Sequence, residues 1–158
     1  MDKFAERVVG VAKRLGTTYC DCRAVDMERE DISVVGGMPR AAVHAHRRGF
    51  GVRVIADGAW GFSSSSVVTD AEADRIVEEA VAIAHASALA KKADIALAPV
   101  GVVQDMVPHQ ADIDPFTIPD AEKIGVLAEA TRAMMVPSVE LARGQMQFLK
   151  ERKTFASS

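Results

Sequence analysis

Cysteine is nearly missing from this 158-residue chain: Cys20 and Cys22 are the only two. Their i, i+2 spacing is too short for a comfortable bridge across one strand, which excludes a disulfide-stapled fold. A reducing compartment, the cytoplasm, is therefore expected. Polar aromatics are equally scarce, with one Trp and one Tyr, so a core must be assembled from Val, Ala, Ile, Leu, Met and six Phe. No run approaches the roughly 18 uninterrupted apolar residues of a membrane span. The charged opening MDKFAERVVG holds no apolar segment of a secretory signal, so no leader and no membrane partner are expected. An excess of positive charge is also lacking. Nineteen Lys and Arg stand against 22 Asp and Glu, for a net charge of −3, which removes the electrostatic basis for binding nucleic acid.

Catalytic signatures are missing too. There is no P-loop and no G-x-G-x-x-G, and no G-x-S-x-G elbow surrounds the Ser63–Ser66 run. His44, His46, His85 and His109 are followed by Ala45, Arg47, Ala86 and Gln110, so no helical His-Glu zinc motif exists. No catalytic and no metal-binding residue is assigned.

What is present is a well-patterned α+β chain, 49% apolar and 26% charged. Phe4, Val8, Val11 and Leu15 recur at helical spacing, and Gly16 follows as a stop. Residues 18–35 read as extended chain, with Gly36-Gly37 as a turn, and Ala41–His46 and Gly51–Ala56 as two further strands. Asp57-Gly58 suits a two-residue type I′ hairpin returning through Trp60–Ser64, because both central positions need positive φ. Thr69 and Glu72 have capping-box spacing ahead of Ile76, Ala80, Ile83 and Ser87, which predicts a helix over about 70–90. Residues 91–118 contain Pro99, Pro108 and Pro115 and read as an irregular connector. Pro119 opens a third helix marked by Ile124, Leu127, Thr131 and Met134, and residues 138–156 suggest one or two strands. The predicted fold class is an antiparallel β-meander covered by helices on one face. Its expected organisation is a helix–meander–helix core over 1–92, followed by connector, third helix and the start of central strands over 93–158.

Several clusters invite a chemical reading. Cys20/Cys22 and His44/His46 are i, i+2 pairs, but pairing across a turn at Gly36-Gly37 sets them about seven residues apart along the strands. That is roughly 23 Å, too far to share a zinc. His109 among Asp105, Asp112 and Asp114 reads as a solvated loop cluster, with the aspartates free to cap turns. His85 reads as a core or boundary residue of an Ala-rich helix. Residues 1–60 carry 10 basic and 8 acidic groups, whereas 61–158 carry 9 and 14. Arg40, Arg47 and Arg48, with Arg53, concentrate the basic charge as a solvated or salt-bridged face or an interaction surface.

The segment GFGVRVIADGAWGF at 49–62, continuing into Ser63-Ser64, resembles the G-x-G-V-R-V-I-x-D-G-x-x-G-F-A-S segment of TldD/PmbA proteins, zinc metallopeptidases once called modulators of DNA gyrase. Gly49, Gly51, Arg53, Asp57, Gly58, Gly61 and Phe62 carry the match. Tyr19-Cys20-Asp21-Cys22-Arg23 resembles the early Y-A-D-V-R-like strand of that family. Asp114 and Pro115, in DPFTIPDAEKI, resemble its connector into a helix, and KTFASS at the end is similar to a further family stretch. The GAWGF wording leans toward the TldD type, and Ser63 departs from the family's usual alanine.

The resemblance implies the N-terminal domain of a two-domain subunit in a cytoplasmic homo- or heterodimer that cleaves a peptide or protein substrate. Its zinc would be held by an H-E-x-x-x-H helix and a later cysteine, where His at i and i+4 share a face and the metal activates water. Both elements belong to the family's second half, so the metallopeptidase domain is expected outside this chain, with no cofactor held within it. The chain would then be a scaffold for the cleft and for subunit contacts. The alternative is a free-standing binding or regulatory module that uses its exposed sheet face or the arginine cluster.

Overall fold

The structure is a computed structural model describing residues 1–108 and 111–158. Element order is α1 (Asp2–Arg14), β1 (Tyr19–Val35), β2 (Met38–Ala56), β3 (Ala59–Ser65), α2 (Asp70–Ala88), a single 3₁₀ turn (Pro115–Thr117), α3 (Asp120–Met134) and β4 (Arg143–Ser157). The strands form one antiparallel sheet in the order β3-β2-β1-β4. The α+β meander expected from the pattern is therefore the observed class.

The chain divides into two compact units interleaved along the sequence. The first holds Met1–Asp26, Arg47–Val102 and Glu151–Ser158, and the second holds Met27–His46 and Val103–Lys150. Strands β1, β2 and β4 are long enough to contribute to both.

In the first unit, α1 and α2 cover one side of the sheet. Ala5, Val8 and Ala12 of α1 and Ala73, Ile76, Val77, Ala80 and Ala84 of α2 are sealed against Cys20, Cys22, Ala24, Phe50, Val52, Val54 and Ala56. Alternate strand residues reach this side because side chains alternate along extended chain. Phe4 meets Phe50 edge to face, with centroids 4.9 Å apart, and Arg7 ties the two helices through Asp70 (3.2 Å) and Asp74 (3.0 Å). Thr69 caps α2 by accepting from the backbone N–H of Glu72 at 3.3 Å. Glu72 does not reach back to complete a box; its carboxylate instead takes two hydrogen bonds from Arg75, which hold its pKa down to about 2. Of the expected stripe of α2, Ile76 and Ala80 are buried, but Ile83 and Ser87 face water while Val77, Val81 and Ala84 are inside.

Two predicted strands, 41–46 and 51–56, are one. β2 runs unbroken through Gly49-Phe50-Gly51, because the ladder to β3 pairs Phe50 with Ser65 and continues to Ala56 with Ala59. The Phe62 ring leans to 3.1 Å from where a Gly51 side chain would begin, covering the backbone that the glycine exposes.

In the second unit, α3 packs Leu127 and Ala128 on Ile32 and Val34, with Ile124 and Met146 at the margin. Met134, expected on the inner stripe, is exposed. Thr131 is buried, accepts from the Gly37 N–H at 3.0 Å and donates to the Leu127 carbonyl at 2.7 Å. It thereby fastens the Gly36-Gly37 turn, whose residues both have positive φ. Residues 138–156 provide one strand, β4.

Candidate functional site

Among the described residues, each unit holds a polar constellation built around a buried acid, Asp21 in the first and Glu30 in the second. In the first, the side of the sheet away from α1 and α2 carries Tyr19, Asp21 and Arg23 of β1 with Arg53 of β2. Asp21 is 1% exposed although it is an acid. A buried carboxylate is tolerated only when its charge is met. Arg53 meets it, donating to Oδ2 from Nε at 2.9 Å and from Nη2 at 2.5 Å, and the Tyr19 hydroxyl reaches the same oxygen at 3.1 Å. The Asp21 hydrogen bond raises the pKa of Arg53, while burial, then the Asp21 contact, raises that of Tyr19. The Arg53 guanidinium lies over the Trp60 ring at 5.3 Å, and Tyr19 meets Trp60 edge-on at 5.8 Å. Arg23, with its Nε 3.9 Å from Asp21 Oδ1, lies over Phe155. Two separate motif segments, 19–23 and 49–62, therefore meet at one ion pair.

The other motif positions of this unit build the hairpin and its seat. Asp57 (φ 48°) and Gly58 (φ 68°) make the type I′ turn. It is clamped by His85 Nδ1 at 2.7 Å from Asp57 Oδ2, by Lys91 donating to the Asp57 carbonyl, and by the Ile95 N–H donating to the Gly58 carbonyl. Gly61 is where α2 crosses: a Cβ there would collide with the Ala80 carbonyl and the backbone N of Ala84. Gly49 lies opposite the Ser65 carbonyl. Arg47 and Arg48 are exposed neighbours on β2, so strand alternation sends them to opposite sides and they share no single surface. Arg40, also exposed, falls in the second unit.

In the second unit, Lys123 and Glu30 are buried together, 4% and 1% exposed, with Lys123 Nζ donating to both carboxylate oxygens at 2.7 Å. The ammonium also lies 4.9 Å from the Phe148 ring centroid. Beside this pair, His44 Nε2 is 2.9 Å from Asp120 Oδ2, a contact that raises the pKa of His44. Asp114 caps the 3₁₀ turn by accepting from the Phe116 N–H at 3.0 Å, with Pro115 as its first residue, and pairs with Lys150 at 2.7 Å. Lys150, then the Phe116 N–H, lowers its pKa.

Glu30, His44 and Asp120 bring one donor atom each within 4.8 Å of one another, which is the grouping among the described residues that could approach a metal. It does not fit a hydrolytic zinc. Both oxygens of Glu30 already hold an ammonium, so a divalent ion would have to displace Lys123 or sit beside it. The thiols fit no better: Cys20 and Cys22 lie in the apolar core of the first unit, where burial pushes their pKa values up to about 12 and keeps them protonated. His109 lies outside the described residues. Sequence reasoning singled out His44 but missed its partner, because Asp120 is 76 positions away and no local spacing marks a contact at that range.

The fold and these sites define an α+β domain whose sequence motifs converge on structural contacts more than on a reaction centre. Residues 20–84 match PmbA/TldA metallopeptidase domain 1, so over this stretch the chain is similar to the first domain of that family. It is similar in structure to a "putative modulator of a DNA gyrase" from Thermotoga maritima (TM-score 0.75, 14% identity, covering 99% of this chain and 35% of that one). It is likewise similar to TldE from Thermococcus kodakarensis (0.73, 14%, 98% and 35%). A third likeness is to a "putative modulator of DNA gyrase" from Bacteroides thetaiotaomicron (0.65, 14%, 98% and 38%). At this identity the likenesses establish the fold, and the chain spans little more than a third of each structure's length. No curated protein matches. No helix among the described residues is long and apolar enough to cross a membrane.

Proposed function

We propose that this chain is the N-terminal scaffold of a zinc-dependent peptidase, shaping the substrate cleft and the contacts between subunits while zinc and the water-activating glutamate come from another domain. The observation that carries the reading is the match of residues 20–84 to the first domain of a metallopeptidase family. Two physical features support it. The motif residues are used for building: Gly61 seats a helix, Asp57-Gly58 turns a hairpin, and Arg53 neutralises a buried acid. The donors within reach of one another at Glu30, His44 and Asp120 already include a carboxylate held by Lys123. Work in the cytoplasm as a homo- or heterodimer with a related subunit belongs to the same proposal.

The test compares two polypeptides, this chain and one that continues in the same reading frame through a His-Glu-x-x-x-His helix. The longer one is expected to cleave an unfolded peptide substrate with stoichiometric zinc, and the 158-residue chain to bind no zinc and cleave nothing. Zinc-dependent cleavage by the short chain at a rate comparable to the longer one would overturn the assignment. So would a continuing frame without a zinc helix, or an inactive longer protein.

A further inference from the structure

The outer side of the sheet in the first unit carries a row of cationic and aromatic side chains across four strands: Trp60 and Phe62 of β3, Arg53 of β2, Arg23 of β1 and Phe155 of β4. The register pairs Phe62 directly with Arg53, Arg53 lies over Trp60, and Arg23 lies over Phe155 at 5.5 Å. Helices α1 and α2 occupy the opposite side. Phe62 and Phe155 are each 56% exposed, and the Arg23 side chain is 63% exposed.

The charges on this row are unequal in what they offer a visitor. Asp21 is sealed beneath it and its charge is met by Arg53, so the acid is withdrawn from solvent. Arg23 stands 3.9 Å from Asp21, beyond hydrogen-bond reach, with its guanidinium held over an aromatic ring. A guanidinium stacked on a ring is only partly hydrated and keeps its fork of N–H donors for a planar acceptor. Beside it lie apolar rings, which favour an aliphatic or aromatic neighbour over a bare phosphate chain. The chain's net charge of −3 also lacks the concentrated basic field that a polyanion selects.

We propose that this face binds an extended acidic peptide, with an Asp or Glu side-chain carboxylate engaging Arg23 at the edge of the Arg53–Asp21 pair and flanking apolar side chains resting on Phe62 and Phe155. Binding requires no hydrolysis, so the inference stands or falls apart from the peptidase reading.

Trp60 is the only tryptophan and lies under Arg53, so its fluorescence reports on this face directly. The 158-residue chain is titrated with N-acetylated, C-amidated Ala-Phe-Asp-Phe-Ala and with its Asn counterpart. A saturable fluorescence change with the Asp peptide is expected, weakened by added salt. Binding should be about threefold weaker or more for the Asn peptide and for Arg23→Gln. Phe62→Ser should weaken it independently of charge. Arg75→Gln, on an exposed α2 side chain paired to Glu72 and Glu79, should leave it unchanged. Several results would overturn the proposal: equal response to both peptides, Arg23→Gln binding like the parent while melting normally, or a single-stranded oligonucleotide binding tighter than the peptide. Self-association that Arg23→Gln abolishes would show the occupant to be a second copy of the chain, and would also overturn it.

Discussion

The two units of this molecule hold themselves together in opposite ways. The first is sealed by eighteen buried apolar side chains drawn from two helices and the sheet. Among the described residues, the second packs a smaller cluster, Ile32, Val34, Leu127 and Ala128, and adds to it an ion pair with almost no exposed surface, Lys123 with Glu30. Apolar burial is non-directional and tolerates small shifts, whereas a buried ion pair is stable only with its geometry intact. The contrast teaches where each unit is vulnerable: the first to loss of close packing, the second to loss of one charge.

The largest expected effect follows from that. Lys123→Met leaves Glu30 buried without a counter-charge and should destabilise the second unit by about 3–5 kcal/mol. Joining it with Glu30→Leu removes both charges and should recover most of the loss, since apolar replacements of a buried pair are often neutral. Amide exchange along α3, read for the single and double variants, checks this. A double variant no better than the single would mean that the pair contributes more than compensated charge.

Next in size is Gly61→Ala in the first unit. Its methyl meets the backbone of α2 at Ala80 and Ala84, so the helix must lift from the sheet, at a cost of about 1–3 kcal/mol. Cys20 and Cys22 make this measurable, because their protonated, enclosed thiols react only when the unit opens. Labelling by a thiol reagent at neutral pH should accelerate about tenfold in Gly61→Ala and change little in Lys123→Met. Equal acceleration in both variants would show that the units open as one and would erase the distinction drawn above.

How much of this was legible beforehand depends on the range of the interaction. The Asp57-Gly58 hairpin and the Thr69 cap are chemical requirements within four residues, and both were readable from residue type alone. The helices were readable from period, yet α2's inner face drifted from Ile83 to Val77 and Ala84, because a helix rich in alanine offers several stripes of similar hydrophobicity. Gly49 and Gly51 misled as punctuation. Glycine weakens a strand in general, but here the ladder to β3 and the Phe62 ring carry the strand through. Invisible altogether were the partners of Asp21 and Glu30, 32 and 93 positions away. Such pairs exist only once the topology has formed.

The smallest effects are electrostatic and belong to the second unit's surface, where they separate its exposed contacts from its buried pair. Asp114, with its pKa lowered by Lys150 and by the Phe116 N–H, contributes stability present above the unfolded carboxyl value near 3.9 and lost as pH falls through the lower folded one. His44 has the reverse sign. Its folded pKa is raised by Asp120, across which charged Glu30 and Lys123 act in opposite directions, so its contribution is complete below the unfolded value of about 6.5 and disappears as pH rises through the folded one. Both side chains are about half exposed, 56% for His44 and 40% for Asp120, and screening keeps the effect slight. Imidazole titration by NMR should therefore place His44 above an unperturbed histidine, and Asp120→Asn should return it toward the ordinary value while leaving amide protection around Lys123 intact. If Asp120→Asn instead stripped that protection, the exposed contact and the buried pair would be one cooperative network, and the second unit would depend on its surface as much as on its interior.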